Sequence, residues 1–157
     1  VKLLLTAIAL SVGIAGSAPA YASEWWYVTN SGDDTLGFVD LSTMVLAPPK
    51  VTYWSQDIKK QPKDGVKSDK KRTIVSCTAD TYDTVQFVGY GPDGSVVKNL
   101  SWPPATSPRG IVPDSIGETE KNFVCGTPAA RLKIGVKLSV SPEQFAKTVH
   151  EGETPPE

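Results

Sequence analysis

Cys77 and Cys125 are the only two cysteines in the chain, and their chemistry depends on where the protein goes. A redox pair would use Cys-x-x-Cys spacing to lower a thiol pKa, and these two lie far apart. In an oxidising compartment an even count reads as a bridge. Residues 1–22 point to such a compartment. Lys2 supplies a positive start, Leu3 to Gly16 are apolar apart from Thr6, Ser11 and glycines, and Ala20-Tyr21-Ala22 carries small residues at the two peptidase positions. This is the pattern of a secretory signal peptide cleaved after Ala22. The apolar run is shorter than the roughly 20 residues that span a bilayer, so the mature chain is expected to carry no transmembrane helix. No cysteine stands at the cleavage point, so lipid attachment is not expected there. Closing a loop of about 49 residues with a Cys77–Cys125 bridge would stabilise the fold by roughly 4 kcal/mol on the chain-entropy model.

The remaining reactive side chains give little purchase for catalysis. His150 is the sole histidine, so neither a His-dependent triad nor a multi-His metal site can be built. Asp33-Asp34 sits in a Ser-Gly context and lacks the alternating ligand series of a calcium loop; it reads as a turn. Gly89-Tyr90-Gly91 and Pro92-Asp93-Gly94 are turn chemistry without a phosphate-loop context. Met44 and His150 are the residues that haem ligation would require, but Met44 reads as core and His150 as solvent. A glycosidase needs two acids facing across a cleft, and most acids here fall in turns or the tail. No catalytic residue, metal or cofactor is assigned.

Two surface features remain. Lys59, Lys60, Lys63, Lys67, Lys70, Lys71 and Arg72 face only Asp64 and Asp69 over the same stretch. Such a segment is a solvated loop or the end of a long hairpin. It serves either as a patch for an anionic partner or as an edge kept soluble by lysine. The second feature is aromatic: Trp25, Trp26, Tyr53, Trp54 and Trp102. Alternation along a strand sends Trp25 and Trp26 to opposite faces. One of them then marks an interface, unless both faces of the sheet are covered. The formal net charge of −1 argues against general nucleic-acid binding.

The elements that position these residues follow from pattern. Val, Thr, Tyr and Trp among thirteen prolines and thirteen glycines describe short strands joined by turns. Strands are expected over Glu24–Asn30, Thr35–Asp40, Val51–Gln56, Thr73–Ala79, Thr84–Tyr90 and Ser95–Trp102. Asp40-Leu41-Ser42-Thr43 reads as a short capped turn, Pro48-Pro49 as a break, and Gly91-Pro92-Asp93-Gly94 as a tight hairpin turn. Ser115-Ile116-Gly117-Glu118 is a capping box. It opens a helix with Ile116, Phe123 and Val124 on one face and Cys125 in its last turn, stopped by Gly126. Arg131 to Val140 alternates polar and apolar and predicts a further strand with one basic face. Ser141-Pro142-Glu143-Gln144 starts a short helix to about His150. The expected architecture is α+β: an antiparallel sheet of about six or seven strands, one disulfide-pinned helix and a short C-terminal helix. The expected organisation is a signal peptide (1–22), a domain (23–126), a strand-helix extension (127–150) and a disordered tail (151–157).

From Trp26 to Cys125 the order of motifs resembles the surface-adhesin protein E family of Gram-negative bacteria. An aromatic first strand is followed by Gly37-Phe38-Val39-Asp40 with Leu41-Ser42-Thr43-Met44, then Val51-Thr52-Tyr53-Trp54. Cys77 and Tyr82 come next, and Ile111-Val112-Pro113-Asp114-Ser115-Ile116-Gly117-Glu118 leads into Val124-Cys125. The resemblance implies a small antiparallel sheet with a packed helix and exposure at the cell envelope. In the family's named member it implies adhesion to host matrix proteins and haem binding. The segment after Gly126 lies beyond the matched pattern and would complete the sheet or pair with a second copy as a homodimer. The expected function is an exported, non-catalytic binding module acting at the periplasm or cell surface on a protein or an anionic envelope or host component. A periplasmic carboxylate-dependent hydrolase and an envelope assembly factor working through the C-terminal strand are the alternatives.

Overall fold

The computed structural model describes residues 23–154. The leader expected over 1–22 and the last part of the expected tail, 155–157, lie outside the described residues. Eight strands form one antiparallel sheet: β1 (Trp25–Asn30), β2 (Thr35–Ala47), β3 (Lys50–Lys63), β4 (Val66–Ser76), β5 (Thr81–Tyr90), β6 (Val96–Ser101), β7 (Arg109–Gly110) and β8 (Val136–Lys137). Their order is β6-β5-β4-β3-β2-β1-β8, with β7 also paired to β5. Three helices complete the described residues: α1 (Ile116–Cys125), α2 (Pro128–Ile134) and α3 (Pro142–His150).

The central strands are longer than the sequence pattern suggests. β2 does not stop at Asp40. It continues through a bulge between Asp40 and Val45. The capping bonds expected of a turn form within that bulge instead: the buried Asp40 carboxylate accepts from Glu24 N, Ser42 N and Ser42 Oγ. The basic stretch 59–72 is the end of a long β3–β4 hairpin, not a loop. Asp64 and Gly65 both adopt positive φ, 50° and 76°, as the two-residue turn of a twisted hairpin demands. The expected turn at Gly91–Gly94 is present, with Gly91 N donating to Ser95 O and Gly94 at φ 79°.

Both faces of the sheet are covered, which resolves the Trp25–Trp26 question. On one face Trp26, Val28, Val39, Val51, Tyr53 and Val75 pack under Phe123 and Val124 of α1. On the other, Leu36, Phe38 and Ile58 pack under Phe145 and Ala146 of α3, with Trp25 and Tyr27 alongside. Ser115 caps α1 by accepting from Glu118 N, and Glu118 Oε2 accepts in return from Asp114 N. Cys77 and Cys125 are joined, with Cα atoms 5.7 Å apart, so the bridge ties the end of α1 to the end of β4.

The strand expected over 131–140 is not there. Thr127 accepts from Ala130 N and Pro128 occupies the first turn of α2. That cap-and-proline start overrides the period-two pattern, leaving only Val136–Lys137 paired, to Trp26 and Tyr27. The alternate apolar residues also serve two layers: Ile134 joins the α1 side, while Leu138 and Val140 join the α3 side. Leu132 is 71% exposed. Ile116, expected on the buried face of α1, is exposed as well, because it starts the helix beyond the area that Phe123 and Val124 cover. Where the chain turns around the sheet edge, a Cβ on Gly135 would lie 2.9 Å from both the Phe123 ring and Tyr27 O, so only glycine fits.

Phe145 packs against Tyr27 and edge-on to Phe38, at centroid distances of 5.2 and 5.9 Å. Phe145→Ala should lower the free energy of denaturant unfolding by about 3–5 kcal/mol, while Leu132→Ala should change it by about 0.5 kcal/mol or less. Equal effects would mean that α3 does not pack as described.

Candidate functional site

The polar residues of the sheet gather on the α1 face. β-strand alternation places Tyr53, Ser55 and Asp57 of β3 beside Asp69, Lys71 and Thr73 of β4, and Tyr82 and Thr84 of β5 follow in register. Asp57 lies directly opposite Asp69, a like-charge pairing that destabilises a sheet by itself. Two lysines offset it. Lys71 Nζ is 2.5 Å from Asp57 Oδ2 and 3.8 Å from Asp69 Oδ1, and Lys59 Nζ is 2.7 Å from Asp69 Oδ2. From α1, Glu120 closes the group by accepting from the Tyr53 hydroxyl at 3.0 Å.

The titration of these groups follows from their crowding. Burial raises Glu120 above the ordinary carboxyl range; Lys71 pulls it down and Asp57 pushes it up again. Burial works against the Lys71 ammonium, but Asp57, Glu120 and Asp69 outweigh it and hold Lys71 above the usual lysine range. One ammonium is shared by three acids. Asp57 takes the short contact, so Glu120 gains less from Lys71 than its burial costs. Burial and the neighbouring Glu120 also raise the Tyr53 hydroxyl.

Between α1 and strands β3 to β5 these residues line a recess of about 170 Å³, walled by Tyr53, Ser55, Lys71, Thr73, Thr84 and Glu120 among others. A second, wider recess of about 550 Å³ shares Lys71 and Thr84 and extends over Asp83, Phe87, Trp102 and Arg109. Arg109 stacks on the Tyr82 ring at 5.7 Å. Ser55 is 1% exposed, and its Oγ has no hydrogen-bond partner among the described residues.

The basic residues singled out in the sequence do not form one patch. Lys59 and Lys71 are engaged in the network just described. Lys60 pairs with Asp34, Lys67 Nζ donates to Lys60 O, and Lys70 lies over the Trp25 ring at 5.7 Å. Lys63 and Arg72 are exposed. Lys70 and Arg72 project on the α3 face, opposite Lys71, because alternation separates neighbours in a strand. Trp26 is buried against Phe123 and donates from Nε1 to Glu24 Oε1; Trp25 and Trp54 are half-buried. Met44 packs near Arg131, and His150 Nε2 lies 2.9 Å from Asp34 O. No group of three or more His, Cys, Asp or Glu among the described residues is placed to hold a metal ion.

Glu120 was missed in the sequence, although a signal was present. Ile116, Glu120 and Phe123 are spaced i, i+4, i+7 on α1, so a carboxylate interrupts the apolar stripe. Ser55, Thr73 and Thr84 carried no such signal, since only the strand register assembles them.

The outer strand β6 is exposed along its whole length, with Val96 at 58% and Val97 at 52%. The fold is an α+β domain: one antiparallel sheet with a helix tied to it by a disulfide and an exposed outer strand. The chain belongs to the surface-adhesin protein E family, whose model matches residues 25–126. The match runs from β1 through α1, includes both cysteines and ends before α2. No curated protein and no solved structure matches the chain. No helix of the described residues is long and apolar enough to cross a membrane.

Lys71→Met strands Asp57, Asp69 and Glu120 without their shared cation and should cost about 3–5 kcal/mol of stability, against about 0.5 kcal/mol or less for Arg72→Ala; urea unfolding of both variants checks this. Glu120 supplies a second test. Its raised folded pKa means the native state keeps a proton that the unfolded chain has released. Stability from this group is present below the ordinary carboxyl value of 4.5 and is lost as pH rises through the raised value. Wild type minus Glu120→Gln stability, followed with pH, should therefore fall across that window, and a flat difference would contradict the environment assigned to Glu120.

Proposed function

We propose that this protein is an exported, non-catalytic binding module of the bacterial cell envelope, adhesin-like in action, which docks an extended segment of a host-matrix or envelope protein along β6. The single observation that carries this reading is the bare edge. On the far side of the sheet the short strand β8 pairs with Trp26 and Tyr27 of β1, with Lys137 at the rim. The opposite side ends in β6, which exposes Val96, Val97 and Leu100 and carries a single lysine, Lys98. Solvent-facing edges are ordinarily blunted by charge, proline or a covering element. An added strand would take up the outward backbone groups of β6, and pockets on either face would select side chains. Val96 and Val97 are both exposed at a register shift between β5 and β6, so a paired segment would cover them.

Family membership supports adhesion, and the Lys2–Ala22 pattern supports export. The tethering of α1 by a disulfide suits an oxidising compartment. The extra C-terminal segment serves the molecule's own sheet through β8 and α3, which weighs against its use as a strand donated to another protein. Lys59 and Lys71 are neutralised internally, so an anionic partner would meet chiefly Lys63, Lys70 and Arg72.

The test uses the mature, oxidised protein immobilised and exposed to purified host-matrix proteins and to envelope fractions. Val96→Lys with Val97→Lys should weaken the captured interaction about tenfold or more. Leu132→Lys, on an exposed residue far from that edge, should leave it unchanged. Undiminished binding by the double variant would reject β6 as the docking edge.

A further inference from the structure

We infer that the cleft between α1 and strands β3 to β5 is a binding site for a neutral, hydroxyl-rich saccharide. This goes beyond the docking edge and stands on different residues.

The inner recess has the chemistry of a site that hydrogen-bonds hydroxyl groups. Ser55 Oγ is buried and unpartnered among the described residues. A buried hydroxyl without a partner costs free energy, and this one belongs to a wall of the recess. Thr73, Thr84 and Tyr82 bring further hydroxyls, Glu120 a carboxylate and Lys71 an ammonium to the same walls. Its volume of about 170 Å³ is roughly that of five or six waters, enough to take part of one sugar ring. The outer recess is broader and has Phe87 and the half-exposed Trp102 in its walls. An aromatic face beside convergent polar groups suits a pyranose, which has apolar C–H faces and a polar rim.

Charge selects among polar ligands. Lys71 and Arg109 are balanced by Glu120 and Asp83 on the walls, and Asp57 and Asp69 already hold Lys71. An anion entering the cleft would meet Glu120 and Asp83 on its walls, and a cation would meet Lys71 and Arg109. A neutral polyol escapes both repulsions and finds donors and acceptors together. The site lies on the α1 face, while Lys70 and Arg72 project on the other, so the basic stretch 59–72 contributes to it only through Lys71.

Saturation-transfer NMR and calorimetry on the mature, oxidised protein would be run with galactose, glucose, N-acetylglucosamine and lactose. Glucuronate and inorganic phosphate would serve as charged controls. At least one neutral sugar should bind saturably and more tightly than either control. Trp102→Ala, on the exposed rim, and Ser55→Ala, in the inner wall, should each weaken it about tenfold. Circular dichroism would confirm that both variants fold. Arg72→Ala and the Val96→Lys/Val97→Lys pair should leave sugar affinity unchanged, so failure of the docking edge and failure of the cleft are separable. No saturable binding, preference for glucuronate or phosphate, or affinity insensitive to Trp102→Ala would each overturn the assignment and leave the cleft to water.

Discussion

Helix α1 is held on the sheet at two points of different chemistry, and the rest of the molecule depends on that attachment. At its C-terminal end the Cys77–Cys125 bond ties it covalently to the end of β4. One turn earlier Glu120 receives the Tyr53 hydroxyl and faces Lys71. Between these points Phe123 and Val124 cap the apolar core. A bond that constrains the unfolded chain thus works beside a polar network with a desolvation cost in the folded state. The cleft lies between α1 and strands β3 to β5.

A sheet with aromatic and aliphatic residues on both faces needs two covers. The residues after Gly126 supply the second. α2 returns across the end of α1, where Arg131 donates to Phe123 O and Val124 O in its last turn. The chain then rounds the β1 edge at Gly135 and lays α3 over Phe38. The family match ends before this segment, yet Phe145 and Ala146 complete a core cluster of residues inside the match. Physically the two parts fold on one sheet.

The same arrangement explains the asymmetry of the edges. The chain pairs β8 with part of β1 on its way between layers, while among the described residues no element pairs with the outer side of β6. Apolar residues exposed there are a liability in a soluble domain and an asset in one that captures strands.

Local pattern was enough for much of this. Capping boxes at Ser115 and Ser141, the Pro-Asp-Gly hairpin and the alternation of β1 and β5 are short-range effects, written in neighbouring residues. The disulfide is expected from the leader-like pattern of residues 1–22 and an even cysteine count, and the family from the order of its motifs. Other features depended on competition between signals. The alternation of 131–140 lost to a Thr-Pro helix start, and the basic run 59–72 concealed an Asp64-Gly65 turn within a long hairpin. The cleft lay beyond any local reading, because Ser55, Lys71, Thr84 and Glu120 meet only through strand register and the seating of α1. Which strand is left at the edge is likewise a property of the strand order. Sequence alone settled the helix starts at Ser115 and Ser141, the bridge and the family, since these rest on contacts among near neighbours or on chemistry that needs no geometry. Tertiary structure decided which charges are neutralised, which tryptophans are buried and where a ligand finds room, since each of those depends on what the opposite side of the fold brings into contact.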